Sequence, residues 1–159
     1  MLKKIAYILL AALVVIQFFR PEKNTATGPQ ANHISARYTV PANVNDIMQR
    51  ACNDCHSNNT VYPWYANVQP VAWWLADHVY EGKGELNFDE FLTYSQKKAH
   101  HKLEEVNEMV KEGEMPLQSY TIIHQDTKLS EPQKLEIATW ADGLMKEIAL
   151  ANNLQPEGK

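Results

Sequence analysis

Cys52-Asn53-Asp54-Cys55-His56 is the stretch of this chain in which residue types and spacing could do chemistry. On a helical turn the two thiols, three positions apart, share one face, and an imidazole follows at the next position. One turn thus presents two nucleophiles and a nitrogen ligand to a single macrocycle. The pattern reads as a C-x-x-C-H attachment site for a c-type haem. The sulfurs add to the two vinyl groups, and the ring nitrogen of His56 takes one axial position on the iron. Three other readings compete. A structural zinc site needs about four ligands, and the chain has no third cysteine. A thioredoxin-like dithiol calls for a preceding strand and a βαβ setting, whereas a helical pattern precedes Cys52. A disulfide across two intervening residues gains almost nothing from loop closure.

A haem also needs walls. Val44, Ile47, Met48 and Ala51 recur at i, i+3, i+4 and i+7, which predicts an amphipathic helix that opens at Pro41 and delivers its C-terminal end into Cys52. After His56 the chain is polar through Ser57-Asn58-Asn59-Thr60 and aromatic through Tyr62-Pro63-Trp64-Tyr65, and Pro63 argues against a helix there. A loop wrapping one haem edge follows, in which Tyr62, Trp64 and Tyr65 either pack on the porphyrin and bond a propionate or serve as ordinary core. Pro70 to Tyr80 predicts a second helix with Gly82 just past its end. Val71, Trp74, Leu75 and His78 share its inward face. Asn87-Phe88-Asp89-Glu90 is a helix start signal, and Ala99, Leu103, Val106 and Val110 mark one face of a long helix that ends at Gly113. His100 and His101 fall beside that stripe among lysines and read as solvated. Ser130-Glu131-Pro132-Gln133 fits a capping box, and Ile137, Trp140, Ala141, Leu144 and Ile148 form an apolar stripe expected to pack across the first helix.

Gly113-Glu114-Met115-Pro116 is the second informative stretch. Proline disfavours the helical region for the residue before it, so Met115 falls in an extended segment from which its thioether can reach across a cavity. Met115 is accordingly a candidate distal iron ligand, with a gap-filling role as the plain alternative. His78 and His124 are the other candidates, since Met/His and His/His ligation both occur.

Lys3 and Lys4 precede an apolar run from Ile5 to Phe19 broken by Gln17 and stopped by Arg20-Pro21. This is the layout of an export signal or a short membrane anchor. Fifteen residues is fewer than the roughly 20 that span comfortably, but Leu2 and the flanking lysines extend the run. No small-x-small pair follows it at once. An uncleaved inner-membrane anchor over residues 2–20 is therefore expected, with a cut after Ala26 or Gly28, giving a soluble periplasmic product, as the rival. Lysines ahead of the segment put the body on the periplasmic side. The net charge is −4, and residues 1–20 carry Lys3, Lys4 and Arg20 without an acid, so the remainder bears −7. That balance excludes a nucleic-acid partner and favours a redox partner with a basic docking face. The expected organisation is an anchor or signal at 1–20, a tether at 21–40 in which His33 is solvated, an all-α domain at 41–151 and a polar tail at 152–159.

Taken as a set, these residues resemble the small bacterial haem-binding domain proteins, single-haem and cytochrome c-like. The resemblance spans about Pro41 to Leu144. It rests on Cys52 through Asn58, Tyr62-Pro63-Trp64-Tyr65, Pro70 with His78, Leu86-Asn87-Phe88, Met115-Pro116 with Tyr120, and Trp140. It implies one covalent haem c held by Cys52 and Cys55, His56 as proximal ligand and Met115 as the family's Met-Pro methionine. Attachment of this kind takes place outside the bacterial cytoplasm. Gly82-Lys83-Gly84-Glu85 stands where the family has Gly-Arg, and Phe91 where a Trp is common, so an arginine contact to a propionate is not expected here.

The reading that follows is an all-α, cytochrome c-like domain around one haem, acting as an electron carrier rather than an enzyme. Its iron is bound by His56 and Met115, and Tyr62, Trp64, Trp74 and Tyr120 line the haem slot. The alternative is a haem sensor or peroxide-active protein whose sixth position is open or labile.

Overall fold

The computed structural model of the chain describes residues 1–152. Among these residues the secondary structure is helical, with one isolated bridge between Thr25 and Asn59 and no strand. The α-helices are α1 (Leu2–Ile16), α2 (Ala42–Ala51), α3 (Asn53–His56), α4 (Val71–Glu85), α5 (Gln96–Glu112), α6 (Gln118–Ile123) and α7 (Glu131–Asn152). Short 3-10 turns at Ile34–Ala36, Trp64–Asn67, Phe88–Thr93 and Gln125–Thr127 link them. The expected tail lies outside the described residues beyond Asn152, which is the last residue of α7.

The apolar periodicities translate directly into burial. Val44, Ile47, Met48 and Ala51 of α2 are buried, as are Ala99, Leu103 and Val110 of α5 and Ile137, Trp140, Ala141, Leu144 and Ile148 of α7. Helix α7 packs along α5 as well as across α2, so the long pair α5 and α7 forms one wall of the domain. Ser95 caps α5 by accepting from the Lys98 N–H, and Gly113 ends it in the left-handed region at φ 79°. The N–H groups of Glu114 and Met115 then both bond the Met109 carbonyl, which turns the chain back toward the domain. At α7 the Ser130 N–H donates to Gln133 Oε1 at 3.0 Å, one half of the expected capping box.

Several expectations need correction. Helix α4 does not stop before Gly82 but runs through it to Glu85. The Asn87 signal caps the 3-10 turn Phe88–Thr93, not α5. Residues 21–40 are no free tether: Ile34 is fully buried, and Asn24 is bonded to Ser57, Thr60, Tyr62 and Lys83. His33 caps the Ile34–Ala36 turn. The anchor expected over residues 2–20 is not supported as a span. Helix α1 has 15 residues, about 22 Å at 1.5 Å per residue, against a hydrocarbon core of roughly 30 Å. No helix among the described residues is long and apolar enough to cross a membrane. None of the residues of α1 is buried. It joins the domain at its end, where Gln17 and Gln69 exchange hydrogen bonds and the Phe19 carbonyl accepts from Gln69 Nε2 and Trp73 Nε1.

Candidate haem site

A cavity of about 420 Å³ opens between α2, α3, α4, α5 and the 115–124 segment. Packed domains tolerate few voids larger than a water molecule, whereas small-molecule sites run roughly 300–1,000 Å³. Its lining is mostly apolar, from Met48 and Leu86 to Val106, Ile137 and Trp140. Cys52, Cys55, His56 and Met115 all lie on its walls.

The proximal side is built from the helical turn the motif predicts. Helix α2 ends at Ala51, Cys52 caps the short α3, and the Cys55 and His56 N–H groups both donate to the Cys52 carbonyl. The His56 ring sits 2.9 Å through Nδ1 from the Leu86 carbonyl, so that nitrogen carries the proton and Nε2 is left for a metal. Burial lowers the proton affinity of His56, partly offset by the carbonyls of Leu86 and Gly82, which keeps the ring neutral and fit to ligate. The thiols of Cys52 and Cys55 are pushed up to about 12 and about 11, by burial first and then by Cys55 and Asp54 respectively. A redox dithiol works through a depressed thiol pKa, and burial acts in the opposite direction here. Zinc fares no better, because no group of three His, Cys, Asp or Glu side chains among the described residues could hold a metal ion.

Gly82 explains why α4 lies so close. A Cβ there would meet the Cys55 carbonyl oxygen at 2.9 Å and the Cys55 Cβ at 3.0 Å, so the helix can touch the motif only with glycine at this position. The sequence reading took the same glycine for a helix end. Asp54, between the two cysteines, has a role of its own: its carboxylate accepts from the Val61 N–H at 2.9 Å and the Tyr120 hydroxyl at 2.7 Å. These bonds tie both the loop after the motif and α6 to the turn that bears the cysteines. Burial and that bond to Asp54 push the Tyr120 phenol well above its ordinary value.

Tyr62, Trp74 and Tyr120 line the cavity as expected, and so does Tyr65. Trp64 does not: it is 79% exposed and stacks edge-on against Tyr65 from outside. The Pro63-initiated 3-10 turn is the reason, since it rotates Tyr65 inward and Trp64 outward. His78 and His124 also line the cavity. The His124 Nε2 atom is engaged 2.6 Å from the Tyr65 hydroxyl, with its ring stacked on Tyr120 at 4.6 Å. His78 places Nδ1 2.9 Å from the Trp74 carbonyl. His101 is exposed beside Glu104 and Glu105, and neither it nor His100 reaches the cavity.

Two thiols, a tautomer-fixed imidazole and a thioether on the walls of one apolar cavity suit a bound haem. The haem-binding domain family matches residues 11–143, most of the chain. The chain belongs to that family. Comparison with curated proteins and with solved structures finds no match. The family match begins well before Pro41 and takes in the 21–40 segment. In this haem-binding domain that segment braces the site: Asn24 Nδ2 donates to the Ser57 carbonyl at 2.9 Å and to Thr60 Oγ1 at 3.0 Å. Polar composition hid its role, because side-chain bonds to a loop leave no periodicity.

Proposed function

We propose that this haem-binding domain holds one c-type haem through Cys52 and Cys55, with His56 as proximal and Met115 as distal ligand, and that it carries electrons. The observation that carries the reading is the His56 ring, fixed by the Leu86 carbonyl beside two thiols on the wall of an apolar cavity. Bound there, a haem iron supplies a one-electron couple, and a methionine ligand raises its potential relative to a bis-histidine site. The Leu86 carbonyl sets the tautomer and rotation of the imidazole. Met115 packs beside Ile47, Ala51, Val110, Leu129 and Ile137, which holds its thioether on the cavity wall. Tyr62, Tyr65, Trp74 and Tyr120 line the slot, and the Tyr62 hydroxyl, which accepts from the Asn24 N–H, can donate to a propionate. If His56 and Met115 both held the iron, no position would be left for a gas or peroxide, as a carrier requires and a sensor does not.

The same proposal puts the domain in the periplasm. Lys3 and Lys4 precede the apolar α1, and the resemblance implies that haem attachment takes place outside the cytoplasm. Asn24 is bonded into the domain, so a cut after Ala26 or Gly28 would remove a brace of the site, and we infer that the mature chain keeps that residue. The acidic body suits a partner with a basic docking face. Optical spectra of protein matured with haem c machinery test the reading. Oxidised and reduced spectra of a six-coordinate His/Met iron that ignores carbon monoxide are expected, and carbon monoxide binding to the untreated protein would favour the sensor.

A further inference from the structure

Lys102 is the one lysine or arginine among the described residues that line the cavity. It is 9% exposed, and its Nζ lies 3.0 Å from Glu85 Oε2 and 2.7 Å from Glu105 Oε2. Burying an ammonium is costly, and an apolar side chain of similar volume would fill the place without that cost. Its position gives the charge a use. Glu85 is the last residue of α4, and Leu86 directly after it supplies the carbonyl that holds His56 Nδ1. Lys102 therefore grips the residue next to the one that orients the proximal imidazole. Lys83, the nearest cation in sequence to that carbonyl, turns away and donates to Asn24 Oδ1 at 2.6 Å.

We propose that Lys102 is a positioning residue for the proximal histidine and that its buried charge raises the reduction potential of the iron bound there. The inference rests on the haem reading of the cavity. Oxidised iron carries one more positive charge than reduced iron, and a cation held nearby, away from water, disfavours the oxidised state. Glu105 opposes this from a partly exposed position with a side chain 38% accessible. The Glu85 side chain, 78% accessible, is screened by solvent and counts for less.

Redox titration of the haem-loaded protein tests the proposal, with the optical spectrum recorded alongside to show that both axial ligands remain. Lys102→Met should lower the midpoint by up to a tenfold change in the redox equilibrium, about 59 mV for one electron. Lys102→Arg should stay with the wild type, and Glu105→Gln should raise the midpoint, because it removes a negative charge and leaves the lysine. A purely structural lysine would leave the midpoint of Lys102→Met unchanged wherever the spectrum shows both axial ligands in place. An unchanged or higher midpoint in Lys102→Met with an intact spectrum overturns the proposal. Should that variant fail to fold, Lys102→Gln, which removes the charge and keeps a polar side chain, decides: a lower midpoint supports the proposal, and no change or a rise overturns it. A wild type that takes up no haem would sink the haem reading itself and this proposal with it.

Discussion

The wall that carries Cys52, Cys55 and His56 differs from the wall that carries Met115 in how much of its backbone is held before any cofactor arrives. On the first, Thr60 Oγ1 donates to the Asp54 carbonyl, the Asn58 N–H reaches Asp89 Oδ2 at 2.7 Å, and Asn58 Nδ2 bonds both Gln30 and Glu90. Asn87 Nδ2 closes the set on Asn58 Oδ1 at 2.8 Å. Side chains from separate segments thus fix the turn and the loop after it. On the second wall, α6 has six residues, none of them buried. It meets the first wall through Tyr120 on Asp54 and through the contact of His124 with Tyr65. The difference teaches that the turn bearing His56 and the thiols is preorganised, while α6, beyond the packed Met115, is the more lightly held part of the opposite wall.

Four substitutions can break or sharpen this contrast. The largest effect is expected from Met115→Ala. The proximal wall should survive and keep its haem, while the sixth position opens to carbon monoxide, so a spectrum that ignores the gas becomes one that responds to it. An unaltered spectrum would transfer the distal role to His78 or His124. Next comes Gly82→Ala, which drives a methyl to 2.9 Å from the Cys55 carbonyl oxygen. Overpacking of that kind costs about 1–3 kcal/mol, to be read from the denaturant midpoint of the apoprotein. A neutral result would mean that α4 can back away from the motif and that the proximal wall is softer than argued. The smallest effects separate Tyr120→Phe from Trp64→Ala. Losing the hydroxyl bond to the Asp54 carboxylate should cost about 1–2 kcal/mol. Removing the exposed indole should stay within about 0.5 kcal/mol.

What the sequence disclosed follows the same division. Residues that act through helical spacing were legible: the α2 face, the α5 and α7 stripes, and the thiols and imidazole of the motif all carry their positions in a period. Residues that act through tertiary approach were not. Gly82 has the composition of a helix terminator, and only the nearness of Cys55 shows why α4 continues through it. Asn24 and Asp54 look like linker and spacer because their partners lie on other segments. Trp64 and Tyr65 are neighbours of similar chemistry, and the choice between them depends on the rotation of a short 3-10 turn that no periodicity announces. The apolar N-terminal run was visible at once, but its helical length depends on where Ile16 gives way to Gln17, a boundary that sequence locates poorly.

The central claim is that Cys52 and Cys55 hold the haem by thioether bonds. Intact-mass measurement of the matured protein before and after acid-acetone extraction tests it most directly. The account predicts a chain heavier by one haem that keeps this added mass through extraction, and loses it only when both cysteines are replaced by alanine. A native protein whose haem leaves entirely into the acetone would contradict it.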